Sequence, residues 1–96
     1  MKKLDYVNRF LQSTKHTLFR DNITLVDGSI LSIQASEYHY CSPRKNNLST
    51  YKTVEVWLFP EDENFFSEWG GSYESPAAYV PVEVVNKYID KRGGIL

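Results

Sequence analysis

Apolar residues recur at helical spacing at the start of the chain. Leu4, Val7, Phe10 and Leu11 share one stripe of residues 3–14, while Lys2, Lys3, Asn8, Arg9 and Gln12 are left for solvent. That pattern predicts an amphipathic helix. The period then changes to two. In NITLVDGSILSIQAS, Asp27-Gly28 separates two β-prone runs, which predicts a hairpin closed by a type I′ turn. Leu31, Ile33 and Ala35 point to one side of the second run, and Ser32, Gln34 and Ser36 to the other. The run TVEVWLFP alternates likewise. Val54, Val56 and Leu58 oppose Thr53, Glu55, Trp57 and Phe59, and Pro60 ends the strand because it cannot donate to a ladder.

The segment EDENFFSEW opens with acids and is followed by Gly70-Gly71, the signature of a short helix with acids on its positive end and a glycine stop. Phe65, Phe66 and Trp69 fall at helical spacing there and read as core. Residues 72–78 read as a loop around Pro76. In YVPVEVVNKYIDKRGG, Pro81 suits a first helical turn. Val82, Val85 and Ile89 form the buried stripe with Val84 and Tyr88 beside it, and Gly93 is the stop. These elements predict an α+β fold, one domain over residues 1–96. A small antiparallel sheet of about three strands carries N-terminal and C-terminal helices on one face. Nothing in the pattern covers the other face, which would present Ser32, Gln34, Ser36, Glu55 and Trp57.

Composition narrows the function classes. The net charge is −1, so there is no electrostatic case for bulk nucleic-acid binding. The charge is uneven: Lys2, Lys3, Arg9, Lys15 and Arg20 face only Asp5 within residues 1–20, whereas Glu61, Asp62, Glu63, Glu68 and Glu74 have no base among residues 61–75. Cys41 is the one cysteine. It offers neither a disulfide framework nor a zinc cluster, and it fits a reducing cytosol. The N-terminal residues form no apolar run of signal length, so neither a signal peptide nor a membrane span is expected.

Candidate chemistry concentrates in SIQASEYHYCSPR, Ser32 to Arg44. If the second strand ran on past Ser36, Tyr38 and Tyr40 would join Gln34 and Ser36 on the open face, with His39 and Cys41 on the core side. Arg44, after Pro43 and near two tyrosines, suits a phosphate or carboxylate, or equally a pairing with Glu37 or Glu55. Cys41 beside His39 admits a thiol nucleophile, and a small buried cysteine is the plainer reading. Two histidines and one cysteine make no metal set. No glycine-rich phosphate loop, G-x-S-x-G or H-E-x-x-H is present. The expected binding surface is therefore Gln34, Ser36, Tyr38, Tyr40, Arg44, Glu55 and Trp57, braced by His39, Cys41 and Pro43, with no catalytic residue, metal or cofactor.

These strings also carry a resemblance. Ser32, Gln34, Ala35 and Ser36, then His39, Tyr40, Cys41, Pro43 and Arg44, give S-x-Q-A-S and H-Y-C-x-P-R. Val54-Glu55-Val56 with Phe59-Pro60, Tyr79 to Val85, and Gly93-Gly94 continue it. The pattern resembles a family of small phage and prophage accessory proteins and covers about the last two-thirds of the chain. Trp57-Leu58 separates V-E-V from F-P by more than that pattern's spacing, so the strand end is altered here. The resemblance implies a phage accessory gene working in the host bacterial cytosol. Its expected action is stoichiometric binding against a host defence system, either by masking a defence protein such as a CRISPR effector or by sequestering a small nucleotide-like signal. The alternatives are a small thiol-dependent or nucleotide-processing enzyme and a structural homodimer that buries Trp57 and Tyr40.

Overall fold

The computed structural model describes residues 5–48, 50–60, 62–72 and 74–96; the predicted stripe residue Leu4 and the acid Glu61 lie outside them. The order is α1 (Tyr6–Ser13), β1 (Ile23–Thr24), β2 (Ile30–Gln34), β3 (Thr53–Phe59), α2 (Glu63–Trp69), β4 (Ala77–Pro81) and α3 (Val82–Lys91). The strands form one antiparallel sheet in the order β1-β2-β3-β4. The fold is α+β as expected, but the sheet has four strands rather than three. The extra strand is β4, whose first two residues close the segment read as a loop. Val80 precedes Pro81, and a residue before proline is pushed out of the helical region toward extended backbone. The same proline then serves as the N-cap of α3.

The hairpin joining β1 to β2 is present with a different turn. Gly28 N–H donates to Leu25 O at 2.9 Å, Leu25 N–H donates to Ser29 O at 2.8 Å, and only Gly28 has positive φ there. This is a three-residue connection with glycine in the left-handed position, not a type I′ turn. Asp27 accepts the Ser29 N–H instead of adopting positive φ itself. The C-terminus then lines the outer edge of β1: Leu25 pairs with Ile95, and Leu96 N–H donates to Thr24 O.

Alternation places the core. Leu31, Ile33, Val54, Val56, Leu58 and Val80 are buried on one face of the sheet against Val7 and Leu11 of α1, Phe65 and Phe66 of α2, and Val82, Val85 and Ile89 of α3. Each buried aliphatic or aromatic side chain contributes about 1.5–3 kcal/mol. Polar contacts fix the helices' positions. Asp5 caps α1 by accepting the Asn8 N–H. Asn86 of α3 accepts the Val7 N–H at 2.9 Å and donates to Asp5, and Asn8 accepts the Tyr51 N–H. Asn8, expected in solvent, is a half-buried connector. Helix α3 ends in a glycine motif: Gly93 (φ 92°) donates to Asp90 O and Gly94 donates to Ile89 O, which satisfies two terminal carbonyls.

Candidate functional site

Strand β2 stops at Gln34, and residues 36–40 turn rather than extend. The alternation expected beyond Ser36 therefore does not exist as a strand. The turn produces most of the same sorting by another route. Tyr38 and Tyr40 are 61% and 54% exposed, while His39 and Cys41 are 5% and 1% exposed. Ser36 departs from expectation. It is buried, its hydroxyl lies 2.6 Å from His39 Nδ1, and it accepts the Tyr38 N–H at 3.0 Å. It braces the turn and presents nothing to solvent.

The loop is laid across one end of the open sheet face by bonds to two distant strands, β3 and β4. Tyr40 N–H donates to a Glu55 carboxylate oxygen at 3.0 Å, and Tyr40 O accepts the Tyr79 N–H at 3.0 Å. Ser42 pairs with Thr53 at the start of β3. Tyr79 can reach Tyr40 because β4 is bulged: Val80 pairs with Val54 and Ala77 with Val56, so Ala78 and Tyr79 together oppose Glu55. A bulge leaves an unpaired residue free to redirect its backbone. Tyr79 has φ 54°, an uncommon state for a bulky residue that surrounding contacts must hold.

Beneath the loop lies Arg20, 5% exposed. Its guanidinium donates to Ala35 O at 2.8 Å, Thr14 Oγ1 at 2.7 Å and Leu11 O at 3.4 Å. It thus ties the first residue after β2 to the carbonyl end of α1, where a cation is also favoured by the helix dipole. Burial pushes its pKa down, although a guanidinium remains charged. Gln34 joins this brace: its side-chain amide accepts the Arg20 N–H and donates to Arg20 O, at 2.8 and 2.7 Å. Gln34 and Glu55, expected to meet a ligand, instead have their polar groups engaged in holding the loop.

The outward groups are Tyr38, Tyr40, Tyr79 and Arg44. Arg44 lies 5.4 Å from the centroid of the Tyr40 ring, and Tyr79 stands 5.9 Å away on a tilted ring. Arg44 donates to the Glu37 carbonyl at 3.2 Å, not to a carboxylate. Among the described residues the ion pairs both belong to Arg92. The Tyr38 hydroxyl pKa is raised by its hydrogen bond to Glu37. Phe19, also exposed, stands edge-on to His39 at 5.1 Å. Trp57 is half-buried and stacks with Phe59 at 6.1 Å. Pro43 is exposed, and its carbonyl accepts the Cys41 thiol at 3.5 Å.

Cys41 has the features of a structural thiol. It donates to Ser36 O at 3.3 Å. Burial raises its pKa, against the Ser36 contact and the Arg44 and Arg20 charges that pull it down, and a thiol so held is a poor nucleophile. The hydroxyl–imidazole pair of Ser36 and His39 is equally sequestered. Hollows of about 270 and 330 Å³ lie elsewhere, one beside Glu63, Phe66 and Gly71 and the other beside Tyr6, Phe10 and Ile95. No group of three or more potential metal ligands occurs among the described residues, and no described helix is long and apolar enough to cross a membrane.

Comparison with protein-family models, curated proteins and solved structures returned no match. The phage-type resemblance thus rests on the quoted strings alone. Two positions of the candidate site escaped the sequence reading. Tyr79 could have been found through the extended bias of Val80 before Pro81. Arg20 has no sequence signal, since it stands in an ordinary polar run, FRDN.

Proposed function

We propose that the protein acts by stoichiometric binding, not catalysis, through the surface formed by Tyr38, Tyr40, Arg44 and Tyr79. One observation carries this reading: the loop turns its reactive groups inward and its contact groups outward. Ser36, His39 and Cys41 are buried, whereas Tyr38 and Tyr40 are exposed. Tyrosine and arginine are the side chains that most often anchor protein interfaces, giving large contact area with few rotatable bonds. The loop's hydrogen bonds to Glu55, Tyr79 and Thr53 lower the ordering cost of binding.

The make-up of the surface and the phage-type resemblance support a protein partner. The two hollows named above lie away from the loop, and small ligands prefer concave sites. An exposed surface of tyrosines and arginine suits another protein. The reading is a phage-type accessory protein that occupies a host defence protein in the bacterial cytosol. Native mass spectrometry of the chain captured gently from bacteria with an active defence system tests it. A co-captured polypeptide in fixed ratio, lost in Arg44→Ala, is the expected result. An added mass of a few hundred daltons would replace the protein partner with a small nucleotide-like ligand. A bare oligomer that dissociates on Trp57→Asp would leave a structural homo-oligomer in its place.

A further inference from the structure

The loop that presents Tyr38 and Tyr40 is pinned from beneath by an imidazole. His39 lies between the two tyrosines in sequence, is 5% exposed, and contacts Ser36 Oγ through Nδ1 at 2.6 Å. That contact admits a neutral ring in which Nδ1 is the acceptor. Ser36 Oγ already accepts the Tyr38 N–H, so its own hydrogen is available for Nδ1. In the tautomer whose proton sits on Nε2, taken as the resting state, the hydroxyl donates to Nδ1. The Phe19 ring packs against the imidazole in a T-shaped contact.

We propose that His39 is a proton-sensitive pin of the recognition loop: the neutral imidazole holds the turn 36–40 closed, and protonation releases Tyr38 and Tyr40 from their fixed places. Protonated Nδ1 would become a donor aimed at the Ser36 oxygen. The Ser36 hydrogen would lose its acceptor, and a second buried cation would stand near Arg20. The charged groups that act on the ring are Arg20, from the segment before β1, and Glu55 of β3. Cys41, two residues along the same loop, is its titratable neighbour. Burial comes first in lowering the pKa and Arg20 adds to it, while Glu55 opposes them. Glu55 is itself committed to the Tyr40 N–H, so releasing it to neutralise an imidazolium would undo a second bond of the loop.

The sign is fixed by linkage. The unfolded chain takes up its proton near the ordinary histidine value of about 6.5, the folded loop only at lower pH. The closed loop therefore loses stability as pH falls below that value through the folded pKa. The inference concerns regulation of the surface proposed above, yet its test needs no partner. In a His16→Gln background His39 is the only imidazole. Its ring resonance is followed by NMR from pH 8 to 4.5 together with the Tyr38 and Tyr40 ring resonances. Expected is a His39 midpoint below 6.5, with both tyrosine signals shifting at that same midpoint while core methyl signals of Val54 and Val56 stay put. Tyrosine signals that ignore the His39 titration, or a midpoint at or above 6.5, would overturn the proposal. Either result leaves the binding reading to its own test.

Discussion

The two faces of the sheet are built by different physics. On the helix-covered face, Leu31, Ile33, Val54, Val56, Leu58 and Val80 are placed by period-two alternation and held by apolar burial, which is non-directional and depends on area. On the other face, the loop 36–44 is placed by single directed contacts: Arg20 to Ala35, Glu55 to Tyr40, Tyr79 to Tyr40 and Ser36 to His39. The first arrangement gives stability and tolerates small shifts. The second gives little stability of its own and a defined surface. A chain of 96 residues can therefore hold an ordered loop surface on a modest core, provided each buried polar group of the loop finds its partner.

The largest effect that sharpens this contrast is a core truncation. Leu58→Ala is expected to cost about 2–5 kcal/mol, as for other fully buried leucines, and denaturant unfolding should show every region losing stability together. Arg20→Met is expected to cost less, about 1–3 kcal/mol, because it strands the Ala35 and Leu11 carbonyls while also removing a buried charge. Its signature is local: hydrogen exchange should accelerate across residues 36–44 more than in β3. Uniform acceleration would mean that Arg20 supports the core and not the loop.

Cys41 gives a smaller, pH-dependent effect. Its folded pKa is raised, so the native state holds the proton longer than the unfolded chain does. Its contribution is complete below the ordinary thiol value and declines as pH rises above it. Alkylation at neutral pH should accordingly be much slower in the folded protein than in urea. Equal rates would revive the thiol-enzyme reading. At the small end, Tyr38→Ala and Arg44→Ala should each leave the unfolding free energy within about 0.5 kcal/mol of the parent, as exposed substitutions do, while weakening partner capture.

The same contrast explains what the sequence could show. The alternation of β2 up to Gln34 and of β3, the described part of the α1 stripe, the α3 stripe and the glycine stop at Gly93 are each local patterns, and each sits in the structure as read. The loop's inward and outward residues were also legible, though by a strand that in fact ends at Gln34. The placement of Ser36 was not, because one hydrogen bond to His39 outweighs its parity. Gln34 and Glu55 looked like free polar groups, since their partners Arg20 and Tyr40 stand 14 and 15 residues away. Contacts of that kind leave no periodic trace. Tyr79 was hidden by a bulge, whose extra residue breaks the alternation that would reveal a strand.

The central claim is that the loop-bearing face, and not the helical face, meets the partner. The direct measurement replaces either Tyr38 or the exposed Lys87 of α3 with a photo-crosslinking amino acid and irradiates the protein in bacterial lysate with an active defence system. The account predicts one discrete adduct from position 38, lost on adding Arg44→Ala, and none from position 87. An adduct from position 87 alone, or equal labelling from both, would contradict it.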